Sequence, residues 1–186
     1  MPFLTCSLEG LIIVEPNVFE DNRGYFFEAY NQSLFQQNGI TCNFVQDNQS
    51  RSTYGVIRGL HYQLPPYAQT KFVRTLEGKV LDVVVDIRKG SPTFGEAFSI
   101  ELSAENKKQL LIPAGFAHGF SVLSETAQLL YKCDAFYNKE SEGGISYKDP
   151  ELKIDWGIPE GKAIVSDKDE DLPSLKDCRN TFEFNS

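Results

Sequence analysis

The chain has 186 residues, 41% of them hydrophobic and 24% charged, which is enough to bury a core without staples and too apolar for a disordered segment. Its formal net charge of −8 repels polyphosphate at long range and argues against a nucleic-acid partner, and no apolar run reaches the length of a membrane span. An anionic ligand would need its Arg and Lys partners gathered at one site, against that overall field.

The opening residues, Met1 to Cys6, lack a basic stretch followed by an apolar one, so the expected address is the cytoplasm. Leu11 to Val14 forms a first β-run and stops at Pro16. Tyr25 to Tyr30 reads as a strand after the turn Asp21-Asn22-Arg23-Gly24. Ser33 to Asn38 reads as a short helix, with Ser33 as N-cap and Gly39 in the left-handed position beyond it. Val56 to Gln63 is a strand that ends at Pro65-Pro66. Phe72 to Leu76 and Val80 to Ile87 flank Glu77-Gly78-Lys79, a hairpin signal. In the second of these, Leu81, Val83, Val85 and Ile87 share one face, and Asp82, Val84 and Asp86 share the other. After the turn Ser91 to Gly95 come strands at Ala97 to Leu102, Gln109 to Ile112, Gly119 to Leu123 and Ala127 to Tyr137. The tail from Ser166 to Lys176 holds a further helical turn or two. Many short strands with few helices predict an all-β sandwich or barrel. No repeat or linker divides the chain, so one domain over 1–186 is expected. The four cysteines, Cys6, Cys42, Cys133 and Cys178, contain no C-x-x-C pair and read as reduced structural thiols.

The chemistry centres on the only two histidines, His61 and His118. His118 lies in Pro113-Ala114-Gly115-Phe116-Ala117-His118, a P-x-G-x-x-H pattern that resembles the second motif of the cupin superfamily. The first cupin motif offers H-x-H, but here the sequence is His61-Tyr62-Gln63. Two histidines without a third donor make a poor transition-metal site, so no metal is expected.

Several further segments are similar to the family of dTDP-4-dehydrorhamnose 3,5-epimerases. They are Asp21 to Glu28, Gln46 to Ser50, Gly55 to Gln63, Ala68 to Arg74, Asp82 to Arg88, Pro113 to Phe120, Tyr131-Lys132, Asp149-Pro150 and Ser166 to Asp169. The resemblance runs from about Leu8 to Leu172. It departs from the family at Cys133, where Thr is common, and at Tyr147-Lys148, where Trp-Asn is common. It implies a cupin-type jelly-roll barrel with short flanking helices, a homodimer, no cofactor, and a dTDP-4-keto-6-deoxyhexose as substrate.

That reaction removes a proton from C3 or C5 beside the C4 ketone and returns one to the opposite face. It needs a base, a charge at the enolate oxygen and an acid. The resemblance makes His61 the base, Asp169 its carboxylate partner, Lys71 the enolate stabiliser and Tyr131 the acid. Taken alone, His61 reads as a structural histidine, Asp169 as part of a solvated charge run, Lys71 as an exposed strand lysine and Tyr131 as a core tyrosine. Tyr137, on the same face as Tyr131 if the strand runs that far, is a candidate to stack on thymine. Arg23 and Arg58 suit phosphate oxygens. Glu28, Gln46, Asn48, His118, Glu142 and Lys168 complete the substrate contacts by resemblance. Asp82 reads either as a partner of Lys71 or as the polar side of an amphipathic strand. A C3-only or C5-only epimerase or a keto-isomerase on the same scaffold is the alternative reading, and a non-catalytic sugar-binding cupin is a further one.

Overall fold

Strands this short cannot bury a face singly, so they must pair and stack. The computed structural model, which describes residues 1–184, shows how. Its strands are β1 (Phe3–Thr5), β2 (Ile12–Val14), β3 (Phe19–Asp21), β4 (Gly24–Phe26), β5 (Gln46–Thr53), β6 (Ile57–Gln63), β7 (Lys71–Glu77), β8 (Lys79–Asp86), β9 (Ala97–Ser103), β10 (Gln109–Ile112), β11 (Phe116–Val122), β12 (Thr126–Cys133) and β13 (Glu142–Gly144). Two short helices, α1 (Gln32–Gln37) and α2 (Asp167–Glu170), accompany them.

One sheet runs β1-β2-β10-β7-β12-β5 and the other β13-β6-β11-β8-β9, and the small β3-β4 hairpin stands apart. The two sheets face each other as a jelly-roll barrel of cupin type, as the sequence leads one to expect. Val73, Leu110, Ile112 and Leu129 from the first sheet meet Val80, Val84, Leu102 and Phe120 from the second. Each such fully buried aliphatic side chain contributes on the order of 1.5–3 kcal/mol. The outer face of the second sheet is covered by the C-terminal third of the chain, through Ile145, Tyr147, Trp156 and Phe182. The outer face of the first is covered by Phe35 of α1 with Ile40 and Phe44. The β7–β8 turn needs Gly78, because its φ is +72° and a Cβ there would lie 2.0 Å from the Thr126 carbonyl oxygen.

Four expectations are corrected. The N-cap of α1 is Asn31, whose side chain accepts from the Leu34 N–H, so Ser33 lies inside the helix. The strand expected over Tyr25 to Tyr30 ends at Phe26, because its partner β3 begins at Phe19, the residue paired with Phe26. The strand expected to reach Tyr137 ends at Cys133. The face of β8 carrying Asp82, Val84 and Asp86 is no solvated side, since all three are 0% exposed. Asp86 is satisfied internally by Arg88, Ser91 and Thr93, which pin the Ser91–Gly95 turn.

Candidate active site

Alternation on β5 brings Gln46, Asn48, Ser50 and Ser52 inward, opposite Cys133, Tyr131, Leu129 and Ala127 of β12. Lys71 and Val73 of β7 continue that inward row. From the facing sheet come His61 on β6 and His118 on β11, which are register partners. Between the sheets lies a cavity of about 500 Å³ lined by Arg58, His61, Lys71, His118, Tyr131 and Asp169, among others. A second lobe of about 150 Å³ shares His61, Lys71 and Tyr131 and adds Gln46, Asn48, Tyr137 and Glu142.

Strict alternation would put Arg58 and His61, three residues apart, on opposite faces. The register between β6 and β11 slips by one residue here, so both reach the cavity. Glycines make this possible. A Cβ on Gly59 would stand 2.6 Å from the Gly119 Cα, and one on Gly119 would stand 2.7 Å from the Arg58 carbonyl oxygen. Arg58 donates from Nε to the Ser52 hydroxyl at 3.1 Å and keeps the rest of its fork for a ligand.

His61 and Asp169 are 2.7 Å apart, Nε2 to Oδ1. The Gly59 N–H donates to the other carboxylate oxygen at 3.2 Å. The acidic run around Asp169 is not uniformly solvated. Ser166 caps the single turn of α2 and rotates Asp169 inward, so that its side chain is 5% exposed. Burial by itself raises the Asp169 carboxyl pKa. The His61 hydrogen bond and charge, the Gly59 N–H and Lys168 outweigh it, and the net pKa lies below the usual range. With Nε2 held by the carboxylate, Nδ1 is the nitrogen left to accept a proton.

Lys71 reaches the His61 carbonyl oxygen at 3.5 Å. Burial lowers its pKa, with Cys133, Asp82 and Glu142 pulling the other way. Tyr131 stands on the sheet opposite His61. Burial, with Cys133 behind it, raises its phenol pKa against the pull of Arg58, so the phenol stays protonated at neutral pH. The His118 ring is held by Asp82, with Nε2 lying 2.9 and 3.1 Å from the two carboxylate oxygens. Asp82 therefore orients His118, which was neither of the two readings open for it in the sequence.

At the mouth, the Tyr137 hydroxyl donates to Glu142 at 3.2 Å, and Lys168 pairs with the other oxygen of Glu142. Tyr137 faces the cavity from the loop after β12, so the shared-strand reason given for it fails although the residue is in place. Gln46 accepts from the Tyr137 N–H at 3.1 Å and donates to Asn48 at 3.0 Å. The cations Arg58, Lys71 and Lys168 are concentrated here within a chain of net charge −8.

Two expected contacts lie elsewhere. Arg23 pairs with Asp21 at the tip of the β3-β4 hairpin, with its side chain 86% exposed, and Glu28 accepts from Asn31. Neither lines the cavity, and Phe27 between them lies over Arg74 of the first sheet. Ser50 and Ser166 line the cavity but were not singled out in the sequence. Ser166 carried a signal as a cap ahead of the acidic turn, whereas Ser50 lies in a run polar at every position from Gln46 to Ser52 and carried none. Among the described residues no three His, Cys, Asp or Glu side chains are placed to hold a metal ion together. Gln63, at the second cupin histidine position, is spent on the Tyr67 and Phe136 carbonyls and the Asn138 N–H. The donor set does not fit a transition metal.

Residues 5–177 match the family model described as dTDP-4-dehydrorhamnose 3,5-epimerase. A dTDP-4-dehydrorhamnose 3,5-epimerase from Shigella flexneri is 52% identical over 170 residues, covering 91% of this chain and 93% of that protein. The crystal structure of the same enzyme from Elizabethkingia anophelis superposes with a TM-score of 0.91 at 54% identity, over 95% of this chain and 97% of that one. A Legionella pneumophila dTDP-6-deoxy-D-glucose-3,5-epimerase, solved in complex with dTDP-4-keto-L-rhamnose, gives a TM-score of 0.90 at 48% identity, over 94% and 93%.

Proposed function

The chain belongs to the dTDP-4-dehydrorhamnose 3,5-epimerase family, and we propose that it epimerises C3 and C5 of dTDP-4-keto-6-deoxy-D-glucose with His61 as base and Tyr131 as acid. The observation that carries this reading is the His61–Asp169 dyad and Tyr131 lining one cavity from facing sheets, with Lys71 on the same wall.

Nδ1 of His61 takes the proton from C3 or C5. The C–H electron pair moves into the ring, and charge collects on the C4 oxygen. Asp169 holds the ring tautomer and stabilises the imidazolium that forms. The Lys71 ammonium stabilises the enolate oxygen. Tyr131 then gives its phenolic proton to the opposite face of the same carbon. Before the next carbon reacts, the imidazolium loses its proton and the phenolate regains one, both by exchange with solvent. Such acid–base catalysis supplies roughly 10²- to 10⁴-fold for each group.

Arg58 and Lys168 take the diphosphate, and Gln46, Asn48, His118 and Glu142 take the sugar. Tyr137 stacks on thymine. The whole chain acts as one epimerase domain, in the cytoplasm, where its free thiols stay reduced. The working form is a homodimer. The exposed Phe19, Tyr25 and Phe26 of the β3-β4 hairpin, each at 59% exposure or more, supply an apolar surface for a second copy. Arg23 and Glu28 on the same segment then serve the partner's substrate.

The test is proton nuclear magnetic resonance of the reaction in deuterated water. Deuterium at both C3 and C5 supports double epimerisation. Deuterium at one carbon selects the single-site epimerase instead, and none at either selects a binding module.

A further inference from the structure

Asp82 is a carboxylate of the site that the chemistry above leaves without a task. It lies on β8 at 0% exposure, bonded through both oxygens to Nε2 of His118. In the β8–β11 pairing His118 stands opposite Val84, so Asp82 is the next inward position on the same face. No described residue is bonded to Nδ1 of His118, and the ring lines the cavity beside its register partner His61. A carboxylate this deep is kept ionised only by a counter-charge. Among the described residues its one bonded side chain is His118, and Lys71 lines the same cavity. His61 on β6 and Tyr131 on β12 are the other titratable groups on the cavity wall nearby.

The two histidine–aspartate pairs differ in access. The His61 side chain is 30% exposed, which leaves it the solvent access that a base needs. The His118 side chain is 8% exposed with its carboxylate fully sealed, which suits a fixed charge.

We propose that Asp82 is a positioning residue that holds His118 as an imidazolium with Nδ1–H turned into the cavity, so that this group and the Lys71 ammonium together bind the enolate oxygen. The proposal rests on the epimerase reading. Removing a proton from C3 or from C5 puts charge on the same atom, the C4 oxygen, so one pair of donors serves both half-reactions. A neutral His118 with its single N–H on Asp82 would present the Nδ1 lone pair to that oxygen and repel it. The charge of Asp82 is therefore needed, beyond its shape as an acceptor.

Asp82→Asn separates the two, because the amide oxygen still accepts from Nε2 but carries no charge. Its kcat is expected to fall roughly 10²-fold, the usual cost of an oxyanion donor, with little change in KM. Deuterium exchange at C3 and C5 should slow by the same factor. A kcat within twofold of the unmutated enzyme, or slowing at one carbon only, would overturn the proposal. Nitrogen-15 resonances of the unmutated protein supply a second measurement that needs no stable variant, with His118 assigned by comparison with His61→Asn. An imidazolium signal for His118 at pH 7 is expected, and a neutral imidazole would overturn the proposal. If the unmutated protein exchanges neither carbon, the epimerase reading fails, whereas exchange that Asp82→Asn leaves intact defeats only the role of Asp82.

Discussion

His61 and Asp169 are 108 residues apart in sequence and 2.7 Å apart in space, joined because the single turn of α2 docks beside β6. The same carboxylate also receives the Gly59 N–H, so it holds the β6 backbone as well as the His61 ring.

The first prediction follows from that dual role. The Asp169 pKa is depressed in the folded protein, so its contribution to stability is present above the unfolded pKa of about 3.9 and is lost as pH falls through the folded value. Asp169→Asn should therefore lose roughly 1–3 kcal/mol at pH 7, with a deficit that shrinks below pH of about 4. Urea denaturation across a pH series measures this. A deficit that stays constant into the acid range would show that the carboxylate charge is not what stabilises.

Lys71 is a charge lowered in pKa chiefly by burial, with one long bond to a carbonyl. Lys71→Met keeps the volume and removes the desolvated ammonium. Thermal stability is expected to hold or rise, while kcat falls roughly 10²-fold. Calorimetry and turnover on one preparation decide it, and a variant that is less stable yet fully active contradicts the assignment.

Tyr131→Phe removes one hydroxyl and fills the same space. Proton removal by His61 should continue, so deuterium still exchanges at the carbons, but delivery to the opposite face should drop by roughly 10²-fold or more. Nuclear magnetic resonance distinguishes retained from inverted product. Unchanged inversion would move the acid to another group.

Asp86 offers a control within the same strand. It is as buried as Asp82 but bonds only to Arg88, Ser91 and Thr93 around a turn. Asp86→Ala should cost on the order of 3–5 kcal/mol, because it strands the Arg88 charge. Its damage should appear in denaturant unfolding, with deuterium exchange per folded molecule unaltered.

Sequence patterning indicated an all-β sandwich or barrel because most strands carry β-branched or aromatic runs, as β7 and β8 do, and the family resemblance narrowed this to a jelly roll. It missed β5, whose residues Gln46–Thr53 are polar on both faces, one turned to the cavity and one to solvent. It extended β12 to Tyr137 because apolar residues continue past Cys133, although the loop there is fixed by side-chain bonds from Gln63 and Gln46. His61, Lys71 and Tyr131 were legible through motif resemblance, and the structure brings them to one cavity. The joint presence of Arg58 and His61 depends on a register slip that no alternating pattern encodes. The link from Asp82 to His118 depends on strand pairing 36 residues apart. Arg23 and Glu28 lie outside the cavity of their own chain, a separation visible only in three dimensions.

The role of His61 is tested by deuterium exchange with His61→Asn in the presence of dTDP-4-keto-6-deoxy-D-glucose, with dTDP binding measured alongside. Binding close to that of the unmutated protein is expected, with no deuterium at C3 or C5 above the buffer rate. Exchange persisting at either carbon while dTDP binds normally would contradict it.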